Sequence, residues 1–299
     1  MKLARLAAFV LALQGGAALG QDDAAPVVLT GALAKARTTG AVTIAFRESS
    51  IPFSFLSPRK EPIGYSIELC RKLVEAIGEA VGKELAIKWV AVTSETRIDA
   101  IVSGRADLEC GSTTDNLERR KLVSFSPTIF VAGTKLLVRR GSPIKSFRDL
   151  GGRIVIVTAR TTNEKAMQEI ARRFKLDFKL ATARDHADSY AQLEAGKADA
   201  FATDDVLLYG LIAQHKAQKK FQVVGEFLSY DPYGVMFRRD DAQLAALVKQ
   251  AFHDLAEDGE VERQYKRWFL RRLPSGESVD LPMSPQLETL IRAMAAKPE

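Results

Sequence analysis

One short pattern occurs twice in this chain. Ile101-Val102-Ser103-Gly104-Arg105-Ala106-Asp107-Leu108 is echoed by Leu193-Glu194-Ala195-Gly196-Lys197-Ala198-Asp199-Ala200. In each copy a helical stretch runs into a glycine, the residue that takes a left-handed helix end without a Cβ clash. A basic residue follows, suited to the negative end of the helix, and then a short apolar strand. Polar residues come next: Ser112 and Thr114 in the first copy, Thr203, Asp204 and Asp205 in the second. Ligands of open α/β sheets bind outside the carboxyl ends of the strands. Two such units, face to face, form a polar cleft between two lobes.

The rest of the pattern agrees with an α/β chain. Val42–Phe46 and Leu85–Val92 read as strands. Between them a helix opens at Tyr65-Ser66, with Ser66 as its N-cap and Ile67, Cys70, Val74, Ile77 and Val81 recurring at helical spacing. Such alternation predicts parallel sheets. A second series begins with a strand at Arg153–Val157, the turn Thr158–Thr162 and a helix from about Asn163, whose N-cap is Thr161 or Thr162. Tyr230-Asp231-Pro232-Tyr233-Gly234 breaks this series and suits a return crossing. Helices at Gln243–Leu255 and Val261–Phe269 then pack back on the first lobe. The expected division is residues 21–137 and 235–272 for lobe 1, 138–234 for lobe 2 and 273–299 for a tail carrying a helix from Ser284-Pro285. The chain would cross between lobes near 135–138 and 231–236.

The first twenty residues have a different character. Lys2 and Arg5 precede an apolar run, Leu6–Leu13, and Ala18-Leu19-Gly20 offers small residues for cleavage. This is the pattern of a secretory signal peptide, too short to span a bilayer. An exported, periplasmic chain cleaved near Gly20 is expected. The formal net charge is +6; the leader takes Lys2 and Arg5 and no acid with it, which leaves +4, mixed along the chain with acids. A solvated surface accounts for that excess, and no nucleic-acid partner is expected. Hydrophobic residues at 46% and charged residues at 27% exclude a disordered or membrane-embedded class. The three histidines lie far apart without metal-ligand spacing, and neither metal nor cofactor is expected. Cys70 and Cys110 fall on a predicted helix and a predicted strand end. Export permits a disulfide between them, and two buried thiols are the alternative; the Cα separation that decides is not readable from sequence.

The densest polar motif is Glu109-Cys110-Gly111-Ser112-Thr113-Thr114, with Arg119 close behind. A hydroxyl-rich turn after a strand offers N–H and O–H groups to a small anion, and a guanidinium clamps a carboxylate with two parallel hydrogen bonds. Plainer readings exist for each residue: Arg119 lies in a basic run that suits a solvated helix face, and Arg97 opens a helix. His186 sits between acids, and Asp204-Asp205 suits a helix cap, Asp205 the better placed.

Taken with Arg47-Glu48-Ser49-Ser50-Ile51-Pro52-Phe53-Ser54, Gly64-Tyr65-Ser66, Thr93-Ser94-Glu95-Thr96-Arg97-Ile98, Asp185-His186-Ala187-Asp188-Ser189, Thr203-Asp204-Asp205 and Tyr265-Lys266-Arg267-Trp268-Phe269, that motif carries a likeness. From about residue 30 to 272 the chain resembles the periplasmic solute-binding proteins of ABC-type amino-acid importers, most closely their glutamate/aspartate-binding branch. The resemblance implies the two-lobed periplasmic-binding-protein fold of type II, hinge closure on L-glutamate or L-aspartate, delivery to an ABC-type permease, and a monomer without enzymatic activity. It also implies the ligand set. Arg119, Thr114 and Thr162 would hold the α-carboxylate, Asp204 and Ser112 the ammonium, and Arg47, Ser94, Arg97 and His186 the distal carboxylate. Phe46, Thr203 and Val235 depart from residues familiar in that branch and leave this charge scheme intact. Two rival functions share the fold: a cyclohexadienyl-dehydratase-like enzyme using Asp204, Asp205 or Glu48 in proton transfer, and a ligand-sensing subunit of a receptor.

Overall fold

The computed structural model describes residues 28–296. The apolar leader lies outside them. Among the described residues no helix is long and apolar enough to cross a membrane.

Two five-stranded sheets share one plan. In the first, the order is Ala86–Ala91, Ala41–Phe46, Leu108–Glu109, Met236–Arg238 and Val123–Phe125; in the second it is Lys179–Ala183, Ile154–Thr158, Ala200–Asp204, Thr134–Arg139 and Phe221–Val224. Three strands run parallel in each, and the fourth is antiparallel to the third. That fourth strand is the one reached by crossing from the other lobe. The chain therefore forms two lobes of mixed α/β architecture joined by two adjacent crossings.

The crossings pair with each other as a two-stranded ribbon, Phe130–Ala132 against Asp231–Tyr233. Thr134–Arg139 belongs to the second sheet along its whole length, which places the first crossing at Gly133, a little ahead of the expected 135–138. A side chain at Gly133 would collide with the Ser229 carbonyl, so the close approach of the crossings requires glycine. Phe53, Tyr65, Phe130, Tyr233, Tyr265 and Phe269 pack around the ribbon with their rings in mutual contact. Buried aromatic contacts of this kind, edge-to-face and stacked, contribute to holding the crossing together.

The sequence echo has a structural counterpart. Gly104 and Gly196 are both left-handed, with φ of 74° and 73°. Asp107 accepts the Thr43 backbone N–H at 2.8 Å, and Asp199 accepts that of Ile154 at 2.7 Å. Each aspartate thus ties the end of its own central strand to the neighbouring strand, in the same place in both lobes.

One local expectation is corrected, and others that the sequence left open are settled. The helix Tyr65–Val81 has Gly64, not Ser66, at its N-cap; the Ser66 hydroxyl instead donates to the Gly111 carbonyl at 2.8 Å. Gly64 is required because a Cβ there would strike the Phe53 carbonyl. Thr161 caps the helix Thr162–Phe174 by accepting the Glu164 N–H. The C-terminal helix Pro285–Ala295 is capped by Ser284 and packs on the helix Ala242–Glu257. Cys70 and Cys110 form a disulfide, their Cα atoms 6.4 Å apart, which joins the helix Tyr65–Val81 to the strand end beneath the polar turn.

Candidate functional site

The carboxyl ends of both sets of parallel strands face one cleft, and charged side chains crowd into it. Arg47 follows the strand Ala41–Phe46, Arg97 opens the short helix Arg97–Val102, and Arg119 lies on the helical turn Leu117–Arg120. All three are buried. Arg97 Nη1 donates to the Ser112 carbonyl at 3.2 Å and to Thr113 Oγ1 at 2.6 Å. Arg119 Nη1 donates to the Thr114 carbonyl at 2.7 Å. The polar turn thus holds two guanidinium groups by its own backbone. Their remaining donors are turned elsewhere.

Burial acts on all three charges. Desolvation, helped by the neighbouring Arg97 charge, lowers Arg47 and Arg119 to about 9. Arg97 is lowered as well, again by burial first. Groups titrating near 9 remain cationic at neutral pH, so Arg47 and Arg119 hold their charge where burial opposes it, with Arg97 beside them. They are offset by carboxylates to which the sequence analysis assigned no part. Glu109 is wholly buried in the central strand Leu108–Glu109, and its Oε2 accepts the Thr113 hydroxyl at 2.7 Å. Asp231, on the hinge ribbon, accepts from Thr114 Oγ1 at 3.1 Å and from Ser229 Oγ.

The second lobe contributes the opposite wall. Asp204 occupies the N-cap position of the helix Asp205–Gln214, yet its side chain caps nothing there. Asn163 Nδ2 donates to its Oδ1 at 2.6 Å, and the Tyr233 hydroxyl donates to its Oδ2. Asp205 has the more ordinary position, accepting the Gly133 N–H. Burial, followed by the charge of Asp231, raises Asp204 to about 8. Tyr233 is pushed well above its ordinary range by burial and then by Asp204.

His186, at the start of the helix His186–Glu194, shares a hydrogen bond between Nδ1 and Thr158 Oγ1 at 2.8 Å. Desolvation, with Arg47 and then Arg97 nearby, holds its imidazole well below the usual histidine range. It is therefore neutral at pH 7, and its closeness to two arginines places it against the first lobe. Thr162 Oγ1 meets Thr114 Oγ1 across the cleft at 3.2 Å. The lobes also touch where the Ile51 carbonyl approaches Gly210 too closely for any Cβ. At the cleft mouth a cavity of about 740 Å³ is lined by Ser94, Ile98 and Arg119 on one side and Thr161, Thr162 and Thr182 on the other.

Where polar groups are left over is informative. Eleven buried side-chain polar atoms find no hydrogen-bond partner among the described residues, and six belong to this one cluster. They are Arg47 Nη1 and Nη2, Arg97 Nε, Ser94 Oγ, Ser112 Oγ and Glu109 Oε1. Buried polar groups are almost always satisfied, since each orphan costs roughly 1–3 kcal/mol and a charged one more. Five of the six are N–H groups or hydroxyls able to donate to an anion; the sixth is the Glu109 oxygen. The structure therefore gathers all nine residues singled out in sequence, Arg47, Ser94, Arg97, Ser112, Thr114, Arg119, Thr162, His186 and Asp204, around one cleft. It adds Glu109, Thr113, Asn163, Asp231 and Tyr233. Only Glu109 and Thr113 carried a signal, as members of the polar motif; Asn163 and Asp231 reach the cleft through the fold alone.

Two sheets of one order, facing each other across a polar cleft and joined by a double crossing, are the architecture of two-lobed ligand-binding proteins. The chain belongs to the bacterial extracellular solute-binding proteins, family 3, whose model matches residues 42–271. It is 42% identical to the L-glutamate/L-aspartate-binding protein of Pseudomonas aeruginosa, over 91% of this chain and 92% of that one. The glutamate/aspartate import solute-binding protein of Escherichia coli is 37% identical, with 98% and 97% covered. Among solved structures, a mutant of ArgBP from T. maritima superposes with a TM-score of 0.72 at 23% identity, over 81% of this chain and all of that one, which speaks to fold alone.

Proposed function

We propose that this protein captures L-glutamate or L-aspartate in the cleft and presents it to an ABC-type amino-acid permease. The observation that carries the reading is the set of orphaned donors on Arg47 and Arg97, buried beside Ser94 and Ser112. A second carboxylate on the ligand would satisfy them, and the names of the relatives point the same way.

In this reading Arg119 clamps the α-carboxylate with Thr114 and Thr162, the last at the N-terminus of a 13-residue helix whose dipole favours an anion. Asp204 receives the ammonium with Ser112. Arg47 and Arg97 receive the distal carboxylate with Ser94 and His186. Because the donors come from both lobes, a ligand gains contacts in the closed arrangement that an open one lacks, and so shifts the population toward closure. Exported to the periplasm, the protein acts as a monomer, without cofactor, metal or nucleic acid. Nor does it act as an enzyme, in keeping with relatives that are named as binding proteins.

Isothermal titration with L-glutamate, L-aspartate and L-glutamine, after carried-over amino acid has been stripped, tests this. Tight binding of one or both dicarboxylates and weak binding of glutamine is expected. Preference for glutamine, or for a cationic amino acid, overturns it.

A further inference from the structure

We infer that Glu109 is a specificity-determining residue: it sets the charge of the distal subsite to a single net positive, and so fits that subsite to a carboxylate rather than to a doubly charged group. The inference rests on the proposed function, since it concerns the subsite read there as holding the distal carboxylate.

The geometry makes Glu109 part of the arginine pair. Glu109 stands at the carboxyl end of the central strand, between the strand Ala41–Phe46, which Arg47 follows, and the one beginning at Met236. The Thr113 hydroxyl has one hydrogen, which goes to Glu109 Oε2 at 2.7 Å; its oxygen accepts Arg97 Nη1 at 2.6 Å. A charge-assisted relay thus runs from guanidinium through hydroxyl to carboxylate. Arg47 lies on the other side. A Cβ placed on Gly111 would collide with Glu109 Oε1 and come within 2.9 Å of the Arg47 Cγ, so the carboxylate and the arginine stem meet over that glycine. Both side chains are buried, and Glu109 Oε1 has no donor among the described residues.

A carboxylate here does not serve affinity. Set behind two arginines that would receive an anion, it opposes that anion, and its field is poorly screened because water is excluded. What it does is count. Arg47 and Arg97 supply two positive charges, Glu109 removes one, and the remainder matches one carboxylate. Asp185, which also acts on Arg47, accepts hydrogen bonds at a helix start on the rim. His186 faces the same pair and is neutral. Without Glu109 the subsite would carry two positive charges and would tolerate a dianion.

O-phospho-L-serine is the probe. Its phosphorus stands as many bonds from Cα as the distal carbon of glutamate does, and the phosphate is largely dianionic at pH 7.5, with a second pKa of ~6. Kd for glutamate and for phosphoserine is measured by titration calorimetry on the native protein and on Glu109→Gln. The native protein should disfavour phosphoserine strongly, and in Glu109→Gln the ratio of the two affinities should move toward phosphoserine by at least about tenfold. Size differences between the ligands cancel in that comparison. A ratio within about threefold of native, in a variant with native circular dichroism, overturns the inference.

If Glu109→Gln does not fold, the native protein still decides. A subsite of single net charge takes the phosphate as a monoanion, so phosphoserine should weaken relative to glutamate by about tenfold per pH unit between pH 6.5 and 8. A flat ratio overturns the inference. Native protein that binds neither glutamate nor aspartate removes the parent reading and this one with it. Native protein that binds glutamate, with an unmoved ratio, removes only this one.

Discussion

Replacing Arg47 with glutamine tests the distal subsite most directly. Arg47 is 1% exposed, and both of its terminal nitrogens lack a partner among the described residues. Arg97 is the less clean target, because its Nη1 already holds the Ser112 carbonyl and Thr113 and its loss would disturb the turn. A hydrogen bond to a charged group contributes about 1.5–3 kcal/mol. Two parallel bonds from Arg47 to the distal carboxylate of glutamate thus come to about 3–6 kcal/mol. The amide of glutamine presents one oxygen to the same fork and takes one bond, about 1.5–3 kcal/mol. Arg47→Gln should therefore weaken glutamate by about 3–6 kcal/mol and narrow the glutamate-to-glutamine ratio by about 1.5–3 kcal/mol, roughly 10- to 150-fold. Titration calorimetry of both ligands on both proteins reads the ratio without reference to absolute affinity. Equal weakening of the two ligands would mean that Arg47 does not meet the group in which they differ, and the dicarboxylate reading would fail.

Three further outcomes follow from the same cleft. Arg119→Ala should weaken every amino-acid ligand by about 2–5 kcal/mol, the cost of truncating one partner of a buried charged pair; near-native affinity in calorimetry would remove Arg119 from the site. Asp204 titrates near 8 here against an ordinary 3.8, so between those values the folded protein holds a proton that the unfolded chain releases. Its contribution is then fully present below about pH 4 and lost as pH rises toward 8, and the melting temperature without ligand should fall across that window, less steeply in Asp204→Asn. Saturating ligand, whose ammonium favours the ionised carboxylate, should flatten the native profile too, and an identical slope in all three samples would count against Asp204 as the ammonium partner. The Cys70–Cys110 bridge spans 40 positions. On the chain-entropy account its removal should lower the unfolding free energy by about 4 kcal/mol, read by urea unfolding with and without reductant. A difference below about 1 kcal/mol would show that the loop is already constrained in the unfolded chain.

What sequence alone determined here is local or periodic. The echo around Gly104 and Gly196 announced two equivalent sheets, since a glycine helix end, a basic residue and a short apolar strand leave little choice of local conformation. Ser284-Pro285 named the start of the last helix for the same reason. The arginines, His186 and Asp204 were legible as candidates because an importer-like motif surrounds each, though position alone suited solvated faces and caps. Tertiary structure decided the rest. Ser66 lost its cap role because Gly64 alone can approach the Phe53 carbonyl, a contact made by residues distant in sequence. Asp231 read only as part of a return crossing and became a buried carboxylate when the two crossings paired and brought it to Thr114. Whether Cys70 and Cys110 bridge depended on how the helix Tyr65–Val81 lies over the sheet. Glu109 is the sharpest case. A lone acid at a strand end carries no local sign of burial. Its meaning as a counter-charge exists only where Arg47, Arg97 and Thr113 converge from separate elements, because charge balance belongs to the assembled cleft and to no segment of the chain.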